Sequence, residues 1–342
     1  MAVLSDVASQ ARVSLTTASR ALDPANDHPV NAHTRARVQA AAERLSYRPN
    51  PMARALRTRR VPTIAIVVHD VSDPYFAEVV KGATRAASAK GFLTVVCSSD
   101  RDPATELRYV EMLCDSRVSG VIFAGGGLEE PHYRSAMSDF AKDIAGYGGA
   151  IVALQPRAER WPSEVPDNRT GARLATEHLL DLGHQGVVMI SGPTTLRTSH
   201  ERELGYIDAM HTAGLEPHIV AADFTPEGAA EAIAQLLDER SVTAVFIATD
   251  SMALGALAEL RRQGTRVPED ISIVGFDDIP GLEFIHPTLT TVRVPMQELG
   301  AAGVARLLHE LDAGPAGARI RLHPVELVVR ESTGPRKSAG GQ

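Results

Sequence analysis

Cysteine is scarce in this chain, with only Cys97 and Cys114 among 342 residues. Two thiols cannot staple a small disulfide scaffold. One ends a strand-like run and the other falls in a helical pattern, so buried free thiols are expected. Long apolar runs are also missing. None approaches the roughly 18 residues of a membrane span, and the N-terminus carries Asp6 and polar groups where a secretory leader needs a basic start and an apolar core. A cytoplasmic protein without a membrane partner is expected. The twelve histidines and two cysteines show neither HExxH nor paired-cysteine spacing, and no GxSxG elbow occurs. Gly125, Gly126 and Gly127 follow a strand-like run but lack the GxGxxG spacing and acidic partner of a dinucleotide cradle. These absences weigh against an enzyme, a metal site or a cofactor.

What is present reads as an ordinary globular protein, 44% hydrophobic and 23% charged, long enough for two or three domains. Its charge is unevenly placed. Residues 1–60 hold ten Arg and no Lys against Asp6, Asp23, Asp27 and Glu43, a net of +6, while the whole chain is −7 and residues 61–342 therefore −13. A basic segment on an acidic body is what phosphate neutralisation by one domain requires.

Within that segment, DVASQARVSLTTASRAL (residues 6–22) repeats apolar residues at helical spacing. Val7, Ala8 and Ala11 form one set, Val13 and Ser14 interrupt it, and Ala18 and Leu22 restart it. Two short helices and a tight turn follow, with small alanines where the helices cross and Ser14 capping the second. In such a motif the second helix enters the major groove and its N-terminal side chains meet base edges. Leu15, Thr16 and Arg20 are the leading candidates, and Thr17 and Ser19 share that helix's outer part. Taken alone, the pattern also fits a plain surface helix pair.

Asn31 suits the N-cap of a third helix whose apolar face is Val38, Ala41, Ala42 and Leu45. In SYRPNPMARALRTRR (residues 46–60), Asn50 can cap and Pro51 fits the first helical position. About two turns would follow, too few to persist alone. Such a helix would form only against a partner and could carry a change of state to the headpiece. Leu56 there is a candidate wedge for a minor-groove base step; the alternative is a basic linker.

From Thr63 the signals alternate. Short runs rich in β-branched residues, TIAIVVH, LTVVCS, GVIFA and AIVAL, are separated by helical patterns such as 75–90. The alternation resumes with helices at 170–182, 201–213, 226–237 and 252–263 and strands at 186–191, 244–248 and 271–276. Buried parallel strands in two similar α/β halves are implied. Ligands in such sheets bind beyond the strands' carboxyl ends, so two facing halves make a cleft.

Over nearly its whole length the chain resembles LacI-family transcriptional regulators. The resemblance rests on the headpiece DVAxxAxVSxxTxSRxL, the hinge YRPNxxARxLR and DPYF at 73–76. It continues through DNRTGARLATEHL at 167–179, GPTTLRTSHERELGY at 192–206, ATDSMALG at 248–255, VGFDD at 274–278, PTLTTVR at 287–293 and LVVREST at 327–333. It implies an all-α helix-turn-helix headpiece and an α/β periplasmic-binding-protein-like core of two doubly wound parallel-sheet subdomains. The implied divisions are headpiece 1–47, hinge 48–60, N-terminal subdomain 61–160 with 290–325, C-terminal subdomain 161–289 with 326–334, and a flexible tail 335–342.

The resemblance further implies a homodimer on a double-stranded, pseudo-palindromic operator, repressing transcription, with a small effector, a sugar in preference to a purine, in the cleft. DNA would be met by Ser14, Leu15, Thr16, Thr17, Ser19, Arg20 and Asn31, and by Tyr47, Asn50, Ala53 and Leu56 toward the hinge. The effector would meet Tyr75, Phe76, Thr198, Arg202, Phe224, Thr249 and Asp277. Arg202 and Asp277 can bind hydroxyls by charge-assisted bonds, and Tyr75 or Phe224 can cover a sugar ring face.

Some positions depart from the family pattern. Arg12 stands where a turn glycine is usual, Val3 replaces a capping Thr so that Ser5 or a frayed turn must serve, and Thr249 stands where Asn is common. The alternative is a solute-binding protein with the same core and no DNA role, which leaves the Arg-rich headpiece unexplained.

Overall fold

The structure is a computed structural model, and it describes residues 2–22, 30–47, 61–127, 130–155, 157, 161–237, 239, 241–314 and 319–336. The expected hinge, with Asn50, Ala53 and Leu56, lies outside the described residues. Two compact units divide at Val61.

The first unit holds helices α1 (Leu4–Gln10), α2 (Leu15–Leu22) and α3 (Ala32–Arg44). Val7, Ala8, Ala11, Ala18, Ala21, Val38, Ala41 and Ala42 are all buried and form one core. Alanine dominates because short helices packed round so small a core approach closely and leave little room for longer side chains.

The second unit contains two six-stranded sheets of matching order. Its strands are β1 (Val61–Val68), β2 (Leu93–Ser98), β3 (Val118–Phe123), β4 (Ala150–Ala153), β5 (Ser163–Pro166), β6 (Val187–Ser191), β7 (Ile219–Ala221), β8 (Ala244–Ile247), β9 (Ser272–Asp277), β10 (Thr290–Arg293), β11 (Ile320–His323) and β12 (Glu326–Val328). The first sheet runs β11-β5-β4-β3-β1-β2 and the second β12-β10-β9-β8-β6-β7. Pairings are parallel, β1 to β2 from Thr63↔Leu93 to Val68↔Ser98 for instance, with β12 antiparallel to β10. Central strands β3 and β9 are buried along their whole length, which explains why they read as unbroken apolar runs and not as alternating ones.

Between the strands run α4 (Pro74–Ala89), α5 (Pro103–Asp115), α6 (Pro131–Gly146), α7 (Asn168–Asp181), α8 (Arg197–Thr212), α9 (Pro226–Leu236), α10 (Asp250–Arg262) and α11 (Met296–Ala313). Their starts are chemically marked. Asp73 before Pro74, Asp102 before Pro103 and Thr225 before Pro226 each accept a first-turn N–H, a cap followed by a residue whose missing N–H costs nothing there. Helix α11 returns to the first lobe and crosses α4 at backbone contact. A Cβ on Gly82 would lie 2.0 Å from the Gln297 carbonyl oxygen, and one on Gly300 2.1 Å from that of Val79.

Three expected boundaries move. The segment 163–166 pairs with β4 and β11 in the first sheet, although the first subdomain was expected to end at 160. Conversely, 290–293 pairs with β9 in the second sheet, although the return to the first was expected at 290. SEVP and TTVR carry little apolar signal, so hydrogen bonding to neighbours decides their sheet. The expected tail begins later than 335, because the Arg336 N–H donates to the Leu182 carbonyl at 2.9 Å. Both cysteines are free, as expected, and half-buried. No described helix is long and apolar enough to cross a membrane, and no described cluster of His, Cys, Asp and Glu could hold a metal ion.

Candidate functional site

In the headpiece, Ser14 Oγ accepts the Thr17 N–H at 3.1 Å and lies 2.8 Å from Thr17 Oγ1. Both side chains are therefore engaged in starting α2. Leu15 is 53% exposed, Thr16 and Arg20 are exposed, and Thr17 and Ser19 are half-buried. Asn31 caps α3 by accepting the His33 N–H at 2.9 Å, and Tyr47 packs half-buried against the headpiece core.

Two local departures resolve. Val3 has no acceptor to offer, and neither Ser5 nor a frayed turn replaces it: Asp6 Oδ2 accepts the Val3 N–H at 2.9 Å, leaving half of a capping box. Arg12 keeps the turn by adopting φ +51°, a conformation costing a non-glycine residue roughly 1 kcal/mol. Arg12→Gly is expected to stabilise the headpiece by about 0.5–1 kcal/mol, read from slower amide hydrogen exchange in α1–α3; unchanged exchange would mean that the turn is unstrained.

In the body, a cleft gathers the ends of both sheets. In each sheet the strand order reverses at one place, β1 between β2 and β3 and β6 between β7 and β8. Loops diverge at such a point and leave a crevice. Tyr75, Phe76, Thr198, Arg202, Phe224, Thr249 and Asp277 all line the cleft.

Arg202 is its best-anchored group. It is 2% exposed, donates from Nε to Asn168 Oδ1 at 2.9 Å and from Nη1 to the Ala248 carbonyl, and reaches Asp277 Oδ1 from Nη2 at 3.3 Å. Its guanidinium lies 3.7 Å from the centre of the Phe276 ring. Neighbouring Glu203 accepts from Ser191 instead, at 2.7 Å. Asp277 and Asp278 hold φ +118° and +58°, strain that turns consecutive carboxylates in different directions. Asp277 enters the cleft, while Asp278 binds Arg293 and Arg330 at 2.7 and 2.6 Å. Burial pushes the Asp277 carboxyl well above the usual range against the pull of Arg202, with Asp250 and Asp73 adding to the rise.

The opposite wall was less legible from sequence. Gln155 donates to the Tyr75 hydroxyl at 2.5 Å and accepts from Thr198 Oγ1 at 3.3 Å, bridging the lobes. Arg101 reaches across to Phe224, 5.8 Å from its ring centre. His69 packs on Phe76 edge-to-face at 5.7 Å, and its Nε2 is 3.2 Å from the Gly126 carbonyl. A carbonyl only accepts, so Nε2 carries the proton. Burial lowers the His69 pKa to about 4, which leaves the ring neutral at pH 7. A Cβ on Gly125 would lie 2.3 Å from that ring, so the glycine run makes room for His69. Arg101, Gln155 and His69 were findable by one rule: each lies within three residues of the end of a strand legible in the sequence.

Thr249 is engaged as the α10 cap, accepting the Met252 N–H at 3.2 Å. Behind it, Asp250 is wholly buried and accepts from Thr291 Oγ1 at 2.6 Å and from the Ile279 N–H at 3.1 Å.

Comparison with known proteins places this arrangement. The model described as bacterial regulatory proteins, lacI family, matches residues 3–50, and that of a periplasmic binding protein-like domain matches 176–333. The HTH-type transcriptional repressor CytR of Escherichia coli (strain K12) is 34% identical over 345 residues, covering 97% of this chain and 96% of that one. The lac repressor dimer bound to operator and the anti-inducer ONPF superposes with a TM-score of 0.83 at 29% identity, covering 97% and 99% of the two chains. The transcriptional regulator CelR in complex with cellobiose gives 0.72 at 30% identity, covering 97% and 100%. With headpiece, two-sheet core and full-length relatives in agreement, the chain belongs to the lacI family of bacterial regulatory proteins and is a DNA-binding transcription regulator.

Proposed function

We propose that the chain is a homodimeric repressor that reads a pseudo-palindromic operator through α2 and is controlled by a sugar, in preference to a purine, held in the cleft. The observation that carries this reading is the pairing in one chain of an Arg-rich helix-turn-helix, its second helix presenting Leu15, Thr16 and Arg20 outward, with a cleft bridged by contacts from both lobes. Relatives support it: CytR is a repressor, the lac repressor structure is a dimer on operator, and CelR holds cellobiose.

Mechanistically, each protomer lays α2 in a major-groove half-site, with Asn31 and Tyr47 toward the backbone. Residues 48–60 pair with their twin at the operator centre, where Asn50 and Ala53 meet DNA and Leu56 wedges a base step. Effector binding changes the lobe contacts across the cleft, and that change makes or breaks the hinge pairing. Tyr75, Phe76 and Phe224 cover ring faces, and Arg202 with Asp277 and Thr249 fixes hydroxyls.

The test is binding of the purified protein to its own upstream DNA at fixed salt, with and without a panel of sugars and purines. A specific complex released by one sugar supports the reading, and the absence of any specific complex sinks it. Arg20→Ala is expected to weaken the specific complex by about 10- to 100-fold, the range for one side chain reading a base edge.

A further inference from the structure

The hydrogen-bonding groups facing the cleft are out of balance. The acceptors are largely engaged: Asp277 through Oδ1 by Arg202, Asp73 by the Tyr75 N–H at 3.0 Å, Gln155 Oε1 by Thr198, and the Gly126 carbonyl by His69. The donors are not. Arg101 is half-buried and donates no hydrogen bond to any described residue, and its Nε is sealed from solvent without a partner. A buried guanidinium N–H with nothing to bind is costly.

The backbone is bent to hold Arg101 there. Asp100 and Arg101 sit consecutively at φ +52° and +58°, a conformation that non-glycine residues rarely adopt even singly. Two hydrogen bonds retain it, from the Asp100 N–H to the His69 carbonyl at 2.6 Å and from the Asp102 N–H to the Ser99 carbonyl at 2.8 Å. Strain kept at a cleft wall is characteristic of a functional position.

A second group of unmatched donors opens on the same cleft. Helices α4 and α10, which also begin there, are capped by Asp73 and Thr249, but α8 begins at Leu196, which has no acceptor, and its first turn carries no acid. Leu196 and Thr198 line the cleft, so the positive end of a four-turn helix is directed at it. On that turn Ser199 Oγ is fully buried and unpartnered.

From Arg101 and this helix end we infer that the effector is an acidic sugar, bearing a carboxylate or phosphate bound between them. This rests on the cleft being the effector site. A neutral polyol brings an O–H donor with each hydroxyl, which also needs a partner, whereas an oxyanion brings acceptors alone, which is what these donors lack. Nearby carboxylates do not neutralise Arg101 by direct bonding: Asp70 accepts from Ser72 at 2.8 and 2.7 Å, and Asp73 caps α4. His69 contributes no charge at pH 7.

The test is calorimetric titration of the full-length protein with matched sets: glucose, glucose 6-phosphate and glucuronate, and ribose and ribose 5-phosphate, with inorganic phosphate as a control. At least one acidic sugar is expected to bind about ten-fold or more tighter than its neutral parent, and whether phosphates or the sugar acid show it identifies the oxyanion. Arg101→Gln should bring the pair within about two-fold while Arg101→Lys keeps most of the preference, both variants melting like the wild type. Equal binding of neutral and acidic partners, or a preference unchanged in Arg101→Gln, overturns the inference and leaves the cleft reading intact. Failure of every sugar to bind a protein that still forms its operator complex overturns both.

Discussion

Arg202→Ala is expected to lower the unfolding free energy of the body by about 3–5 kcal/mol, the range for removing one partner of a buried ion pair, and to abolish the response to effector. Three buried groups would lose their donor: Asp277 Oδ1, Asn168 Oδ1 and the Ala248 carbonyl. The Phe276 ring would lose the cation stacked on it and face a void. Arg202→Met separates these effects. It refills the space over the ring but still leaves the Asp277 carboxyl without its donor, so it should recover only the packing share. Adding Asp277→Asn to Arg202→Met removes the carboxyl that burial disfavours and should recover more, a coupling visible in a double-mutant cycle by urea unfolding. A cost below about 1 kcal/mol for Arg202→Ala would show that water reaches the pair and that the site is not the buried anchor described.

Asp250→Asn should change how stability depends on pH. Burial raises the Asp250 carboxyl from its ordinary 3.8 to about 7, so the folded protein holds a proton that the unfolded chain has released. Its contribution to stability is absent above the folded value, appears as the pH falls through 7, and is complete near 4. His69 works in the opposite sense. Its pKa is lowered from 6.5 to about 4, so the unfolded chain takes up the proton first and stability is lost over that window. Asp277, raised by burial in the same way, acts with Asp250, and both oppose the histidine between about pH 4 and 6.5. Asp250→Asn removes one of these protons, and the variant should lose stability relative to wild type on acidification by up to about 1.4 kcal/mol per pH unit, one proton's worth. Denaturant unfolding at pH 7.5, 6 and 5 measures this. Parallel curves for the two proteins would show that Asp250 is ionised throughout.

The elements legible in the sequence were those whose burial is uniform or periodic. Strands such as GVIFA and ISIVGF are covered on both faces, and the headpiece alanines repeat at helical spacing, so pattern alone located them. Ser163–Pro166 and Ile320–His323 escaped for other reasons. Residues 320–322 are exposed on an edge strand that pairs only with Ser163–Pro166, while SEVP, buried between β4 and β11, is too short and too polar to read as an apolar run. In the cleft, motif residues such as Arg202 and Asp277 were readable, but their mutual pairing was not, because 75 residues separate them. Arg101 and Gln155 belong to no motif. What singles them out is position beyond a strand end, and for Arg101 also two residues of left-handed backbone, which sequence does not display.

The interleaved order of strands has a consequence for the chain during its synthesis. The first sheet is finished by β11 and covered by α11, both made after the second sheet's central strands, and the second is finished by β10 and β12. A ribosome must therefore deliver residue 323 before the first sheet has its full set of strands, and residue 328 before the second has. A chain ended near residue 289 would leave the edges of β5 and β9 open, strands that are buried along their length in the complete protein. Such edges recruit other chains. Premature termination should thus yield insoluble or degraded fragments and no free-standing half, so that a truncated copy does not accumulate as an uncontrolled competitor for DNA.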